Sequence, residues 1–280
     1  MVFENRSLLL GLLVMLALPL AVTVLAFTTL ANTDPADIVA GTPLVQTPTP
    51  TAVPATPTAP IDPNAVYTAG LAAFAAGDFA AAEAAFREAV ALVPDAADLH
   101  NSLGLALSQQ ERLEEAVGAF ETAVSLNPTF AEADYNLAVT QQKRGELAAA
   151  EAAFQAALQA DPALALAHHG LGNLYQTQGR LEEAIGAYEQ AIAHNPQLLE
   201  AYTSLGTALG NAGRLEEAVG VLQTAVSQQP DYLPALYDLG LIYDHLGETA
   251  VAREMFSQII TLAPGSDWAA QAQTQLEQNQ

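Results

Sequence analysis

The sequence of 280 residues contains no cysteine and only one lysine, Lys143. The lack of cysteine excludes disulfide bonds, thiolate metal sites and cysteine nucleophiles. Eight Lys and Arg residues against 31 Asp and Glu give a formal net charge of −23, and so few cations cannot form the positive stripe that a general nucleic-acid binder needs. Only 14% of the residues are charged, however, and 51% are hydrophobic. This balance excludes a disordered acidic protein, in which the charged fraction would be high.

The sequence also lacks the usual motifs of catalytic and metal sites. The five histidines form no HExxH arrangement, and neither GxSxG nor a phosphate-binding glycine loop occurs. Glutamate pairs at 114–115, 182–183 and 216–217 open predicted helices, where carboxylates interact favourably with the helix dipole. We therefore interpret these pairs as structural and predict a protein that is not an enzyme and needs no metal or cofactor.

The one long hydrophobic run lies near the N-terminus, where residues 8–31 carry no charge. A helix of this length spans roughly 36 Å at about 1.5 Å per residue, which is enough to cross a hydrocarbon core of about 30 Å. Arg6 before the run and acidic residues after it favour a cytoplasmic N-terminus. Residues 1–32 are thus predicted to be either an uncleaved transmembrane signal anchor or a cleaved signal peptide. The remainder of the chain would accordingly be membrane-anchored outside the cytoplasm, or secreted or periplasmic.

Residues 33–62 are predicted to form a disordered linker. Most of this segment consists of threonine, proline, alanine and valine. Dense proline prevents helix and sheet formation and favours extended polyproline II structure. The segment would act as a spacer between the N-terminal helix and a folded domain.

Beyond the linker, proline recurs at a fixed interval of 34 residues from Pro94 to Pro264. Such a period indicates a repeat architecture. With these prolines at repeat position 32, six repeats begin at residues 63, 97, 131, 165, 199 and 233. Position 8 is always glycine or alanine, position 20 is always alanine, and position 24 is always a large apolar or aromatic residue.

These spacings predict an antiparallel pair of helices in every repeat. The small residues at positions 8 and 20 would let the two helices cross closely, and the large residue at position 24 would fill the space beside the crossing. Glycine at position 15 ends the first helix in five of the six repeats, and proline at position 32 stops the second. Such a pair buries its apolar surface only by stacking on its neighbours.

The pattern resembles the tetratricopeptide repeat family. The Gly-x-x-Tyr sequence occurs as Gly172/Tyr175 and Gly240/Tyr243, and the alanine, large apolar and proline positions follow in register. The resemblance covers residues 63–266 and implies an all-α, right-handed α-solenoid of six 34-residue helix-turn-helix repeats. Position 4 departs from the family pattern because it is never tryptophan, and position 15 of the second repeat is Glu111. Residues 267–280 are predicted to form a C-terminal capping helix in which Trp268 has a structural role.

The resemblance also implies a binding surface. In this family the first helices line a concave groove through repeat positions 2, 5, 6, 9, 12 and 13. The candidate peptide-groove residues are Tyr67, Asp98, Asn101, Glu132, Tyr135, Asn136, His169, Asn173, Thr203, Tyr237 and Asp238. Lys143, Glu200 and Asp244 also lie at groove positions, so that five acids face one lysine. The family's lysine- and arginine-based carboxylate clamp is therefore disfavoured, and its asparagine ladder would be partial at best.

An acidic groove with tyrosine and asparagine suits a neutral-to-basic peptide or protein segment. The predicted function is a non-catalytic protein–protein interaction scaffold outside the cytoplasmic membrane, without a nucleic-acid partner. Two alternatives remain, namely a self-associating structural array, which would be a homo-oligomer, and a regulatory subunit of an envelope enzyme complex. The groove side chains could also be merely solvated, with the contacts of the protein elsewhere.

Overall fold

The computed structural model describes residues 61–278. This range contains thirteen α-helices and no strand. In chain order the helices are α1 (Pro63–Ala75), α2 (Phe79–Leu92), α3 (Ala97–Gln109), α4 (Leu113–Leu126), α5 (Ala131–Lys143), α6 (Leu147–Ala160), α7 (Ala165–Thr177), α8 (Leu181–His194), α9 (Leu199–Asn211), α10 (Leu215–Gln228), α11 (Leu233–His245), α12 (Thr249–Leu262) and α13 (Asp267–Gln278).

The odd-numbered helices α1 to α11 are the first helices of the six repeats, and the even-numbered helices α2 to α12 are the second. The predicted all-α solenoid of six repeats with a C-terminal capping helix is therefore confirmed. The predicted N-terminal helix of residues 1–32 and residues 33–60 of the predicted linker lie outside the described residues. None of the helices that the structure describes is long and apolar enough to cross a membrane.

The two helices of a repeat cross as closely as the small residues predicted. A Cβ atom added to Gly104 would lie 2.6 Å from the ring of Phe120, and one added to Gly172 would lie 2.5 Å from the ring of Tyr188. The position-20 alanines are completely buried. The ring at position 24 thus packs directly on the backbone of the first helix, which is why position 8 is small.

The turn between the two helices needs a left-handed residue. Glycine provides it at Gly77, Gly145, Gly179, Gly213 and Gly247, with φ between 75° and 80°. In the second repeat Glu111 takes this conformation with φ 58° and is the one non-glycine residue of the described range to do so. A side chain in this region costs about 1–2 kcal/mol, so the second repeat carries local strain.

Position 4, where the family's tryptophan is missing, contributes a hydrogen bond between repeats. His100 Nε2 lies 2.8 Å from the carbonyl oxygen of Pro94, and His168 Nε2 lies 3.0 Å from that of Pro162. In the fifth repeat the Tyr202 hydroxyl donates to the Pro196 carbonyl at 3.1 Å. A polar donor at position 4 therefore attaches the first helix to the preceding proline turn.

The glutamate pairs at the start of second helices have a larger role than the helix dipole alone. Glu115, Glu183 and Glu217 each pair with the arginine three residues earlier. Two of the preceding glutamates reach the next repeat, since Glu114 pairs with Arg144 at 2.8 Å and Glu182 with Arg214 at 3.7 Å. These exposed pairs are individually weak, but they recur along one edge of the solenoid and link successive repeats.

Candidate functional site

The first helices of successive repeats contact one another along the solenoid, from α3 through α5, α7 and α9 to α11, and α11 also contacts α13. Because positions 2, 5, 6, 9, 12 and 13 recur on these helices, the candidate groove residues from Asp98 to Asp238 lie along a surface formed by neighbouring first helices. Glu132 is exposed on this surface, whereas most of the other candidates are half-buried. We call this surface the groove.

Two of the predicted groove residues are not open to a ligand. Tyr67 is 5% exposed and Asn101 is 2% exposed. The Tyr67 ring packs against Phe86 with 5.8 Å between ring centroids. The side chains of Tyr67 and Asn101 are therefore packed in the interior, and a partner would meet only the residues beside them.

Position 5 of one repeat hydrogen-bonds to position 6 of the next at three places. The hydroxyl oxygens of Tyr67 and Ser102 are 3.2 Å apart. Asn136 Nδ2 donates to Asn101 Oδ1 at 2.9 Å. In the C-terminal half, His169 Nε2 lies 3.0 Å from Ser204 Oγ. The expected asparagine ladder is thus reduced to a single Asn–Asn pair within a mixed row of polar contacts.

The C-terminal half of the groove contains a cleft of about 530 Å³. Helices α7, α9, α11 and α13 contribute to its wall. Its polar lining consists of Asn173, Gln176, Thr177, Thr203, Ser204 and Thr207. Pro234, Asp238 and Trp268 complete it. We call these nine residues the C-terminal cleft; they bring together three predicted site residues, namely Asn173, Thr203 and Asp238.

The sequence analysis missed six of the nine cleft residues, and among them it took the role of Trp268 as structural only. Its ring does pack, since it meets Tyr237 edge-on at 5.6 Å between centroids, yet it also lines the cleft. A signal was present in the sequence: extending the 34-residue register past Pro264 starts a seventh unit at Asp267. Trp268 then occupies position 2, which is a groove position.

Two residues of the cleft lining contact a buried tyrosine. The Tyr188 hydroxyl lies 2.8 Å from Asn173 Oδ1 and 2.7 Å from Gln176 Oε1. Burial raises the pKa of Tyr188 to about 12, so the hydroxyl stays protonated and donates its one hydrogen to either amide oxygen. The contact joins the side chains of Asn173 and Gln176, which both line the cleft, to the buried Tyr188.

The electrostatics of the cleft are dominated by Asp238. Burial raises the pKa of Asp238 to about 6, while a hydrogen bond from Thr207 opposes this rise. Thr207 Oγ1 donates to Asp238 Oδ2 at 3.3 Å. Burial lowers the pKa of His169, which Glu200 partly offsets. The described cleft lining holds one carboxylate and no lysine or arginine, so its field favours a cation.

Residues 61–278 contain no group of three or more His, Asp or Glu side chains arranged to hold a metal ion. The cleft side chains are hydrogen-bonding amides and hydroxyls with one acid and one indole. This arrangement is equipped for recognition of a polar or cationic group.

The sequence profile of the tetratricopeptide repeat family matches residues 67–129, 103–165, 169–232 and 203–267. The chain belongs to the tetratricopeptide repeat family. Proteins of this family are in general non-catalytic scaffolds for protein interactions. No curated protein gives a significant sequence match.

Several solved structures share the fold. PilW, a type IV pilus biogenesis factor, has a TM-score of 0.68 and 22% identity, over 76% of this chain and 98% of its own. YrrB, described as a tetratricopeptide repeat protein with an unusual peptide-binding site, has a TM-score of 0.54 and 24% identity, over 68% and 97%. MamA has a TM-score of 0.52 and 29% identity, over 57% and 94%. These similarities place the fold among tetratricopeptide repeat proteins.

Proposed function

We propose that this protein is a non-catalytic interaction scaffold that binds a neutral-to-basic peptide or protein segment along its groove. The observation that carries the proposal is the C-terminal cleft. Amide and hydroxyl side chains, one indole and one carboxylate from α7, α9, α11 and α13 line it together. Amide side chains satisfy both donors and acceptors of an extended backbone. The peptide-binding site named for YrrB adds support from a protein of the same fold.

The charge distribution favours a basic over an acidic partner. Five arginines of the described range, namely Arg87, Arg112, Arg144, Arg180 and Arg214, are engaged in ion pairs with glutamates. Among groove positions, by contrast, Lys143 is the one cation, set against five acids. A segment with net negative charge would be repelled during encounter, whereas a basic one would be attracted.

We further propose that the scaffold is displayed outside the cytoplasmic membrane. The uncharged run of residues 8–31 and the proline-rich segment after it support this arrangement. A reporter enzyme that is active only outside the cytoplasm, fused after Gln280, tests the display. Mass spectrometry of the mature N-terminus then separates a retained anchor from a cleaved signal peptide.

A peptide array probed with the full-length chain in mild detergent tests the groove. The double variant E132Q/E200Q removes two exposed acids from first helices α5 and α9. The matched control E121Q/E189Q removes two exposed acids from second helices α4 and α8, with the same change in charge. We expect the groove variant to lose signal on basic peptides while the control keeps it.

Equal behaviour of the two double variants would contradict binding in the groove. Sedimentation over a dilution series of the same preparations addresses the self-associating alternative, because only a homo-oligomer loses mass on dilution. A preparation that shows such mass loss and captures no peptide would overturn the scaffold proposal.

A further inference from the structure

We propose that the C-terminal cleft is a subsite for one cationic side chain, a lysine or an arginine, of the bound segment. This inference rests on the proposed function, since it assigns a chemical class to one position of the ligand. The observation that carries it is that Asp238 from α11 and Trp268 from the capping helix α13 line the same cleft.

Asp238 has an incomplete set of partners. Its Oδ2 atom accepts one long hydrogen bond, from Thr207 at 3.3 Å. No arginine, lysine or histidine of residues 61–278 forms an ion pair with it. A half-buried carboxylate without a counter-ion is unfavourable, and the raised pKa of Asp238 reflects that burial. A ligand cation would supply the missing charge and occupy the remaining carboxylate lone pairs.

Trp268 supplies a second, independent element of cation recognition. A cation within about 6 Å of an indole centroid is attracted by the ring quadrupole. The indole is held in place by Tyr237, which itself packs edge-on against Phe256 at 5.7 Å between centroids. A ring fixed in this way needs little reordering when the ligand binds.

The rest of the cleft wall offers hydrogen-bond acceptors for the N–H donors of a lysine or arginine side chain. The hydroxyls of Thr203 and Ser204 line the cleft and accept N–H bonds from an ammonium or guanidinium group. The volume of about 530 Å³ lies within the range of about 300–1,000 Å³ that is usual for ligand pockets. It accommodates a long side chain together with the adjoining peptide backbone.

The chain offers a direct reporter, because Trp268 is its only tryptophan. The full-length chain in mild detergent is titrated with the N-acetylated, C-amidated peptide Ser-Asn-Lys-Asn-Ser. Three further peptides replace the central lysine by arginine, norleucine or glutamate. Indole fluorescence and the ¹⁵N–¹H resonance of the indole follow binding. We expect saturable shifts with lysine and arginine, and affinities about tenfold weaker with norleucine and glutamate, which corresponds to one charge-assisted contact.

D238N is expected to reduce the affinity for the lysine peptide to the norleucine level. The matched control D95N makes the same chemical change at an exposed position in the turn after α2, outside the groove positions, and should leave the titration unchanged. Circular dichroism of both variants verifies the fold. Because Asp and Asn have nearly equal volumes, D238N isolates the charge.

Equal affinities for the lysine and norleucine peptides, or an unchanged lysine affinity in D238N, would overturn the cationic subsite. If the array still shows binding that depends on Glu132 and Glu200, the scaffold function stands and only the subsite fails. If instead the array shows no binding while the lysine peptide saturates the indole shift, the subsite stands and the longer groove is wrong.

Discussion

Asn136 Nδ2 donates a hydrogen bond to Asn101 Oδ1 at 2.9 Å across the boundary between the second and third repeats. Asn101 is almost fully buried, so this contact joins a groove residue to the core. The same spacing, from position 5 to position 6 of the next repeat, connects His169 to Ser204 beside the C-terminal cleft. The same side chains therefore stabilise the contact between neighbouring repeats and shape the groove.

The substitution N101A should destabilise the protein by about 1–3 kcal/mol, because it leaves the Asn136 amide without its buried partner. Urea unfolding followed by circular dichroism measures the change. The control N211A makes the same substitution at an exposed position at the end of α9 and should change the free energy of unfolding by less than about 0.5 kcal/mol. A loss of unfolding free energy in N101A that is no larger than the loss in N211A would contradict a structural role for the Asn pair.

The strained turn at Glu111 predicts that E111G is stabilising. Glycine relieves the left-handed strain of about 1–2 kcal/mol, offset by its greater freedom in the unfolded chain, so we expect a net gain of roughly 0.5–1 kcal/mol. The reverse substitution, G145E, places the same side chain at the equivalent turn with φ 80° and should destabilise. Thermal unfolding of both variants measures these effects. Shifts of the two unfolding midpoints in the same direction would contradict backbone strain at Glu111.

Close helix crossing predicts opposite effects for two glycine-to-alanine substitutions. G172A places a Cβ atom 2.5 Å from the buried Tyr188 ring and should destabilise by about 1–3 kcal/mol. G220A lies at an exposed position of helix α10, with no atom within 4 Å of the added Cβ, and should stabilise by up to about 1 kcal/mol. Urea midpoints of the two variants provide the test. A neutral G172A would mean that the crossing is looser than the structure shows.

Asp134 occupies position 4 of the third repeat, where the second, fourth and fifth repeats have a donor to the preceding proline carbonyl. It is 4% exposed, and burial raises its pKa. Replacing it by histidine removes a buried carboxylate and offers a donor to Pro128, so D134H should stabilise by about 1 kcal/mol. Denaturation at neutral pH measures the gain; D134L is the control that removes the charge without adding a donor. D134H no more stable than D134L would rule out the hydrogen bond.

The raised pKa of Asp238 predicts a pH-dependent difference between the wild type and D238N. The folded pKa of about 6 exceeds the ordinary aspartate pKa of 3.8, so the native state binds the proton more tightly than the unfolded state does. The stabilisation by this proton is complete below about pH 4 and is lost as the pH rises through 6. D238N should therefore be more stable than the wild type at pH 7, and this advantage should shrink between pH 6 and pH 4.

The other titratable groups beside the cleft, namely His169, Glu200 and Tyr232, are present in both the wild type and D238N. Their own titrations largely cancel in the difference between the two unfolding free energies. A difference that stays constant from pH 4 to pH 7 would show that Asp238 is solvated rather than buried.

Local features of the sequence determined the repeat structure of this protein. Glycine at position 15 and proline at position 32 of the repeat end the first and second helices, and small residues at positions 8 and 20 let the two helices cross closely. These effects act within one repeat, so the register alone predicted the helix pairs, while the resemblance to the tetratricopeptide repeat family implied the surface on which Asn173, Thr203 and Asp238 lie. The exported location and the N-terminal helix stay predictions, since residues 1–60 lie outside the described part of the chain.

Tertiary structure decided which of those surface residues face a partner. Three features depend on contacts between side chains of different repeats. They are the burial of Tyr67 and Asn101, the pairing of Glu114 with Arg144, and the position of Trp268 in the cleft. These contacts form only where the side chains of neighbouring repeats pack against one another. Position within a repeat therefore predicts the face on which a residue lies, while the stacking of repeats determines whether its side chain packs inside or remains free to bind.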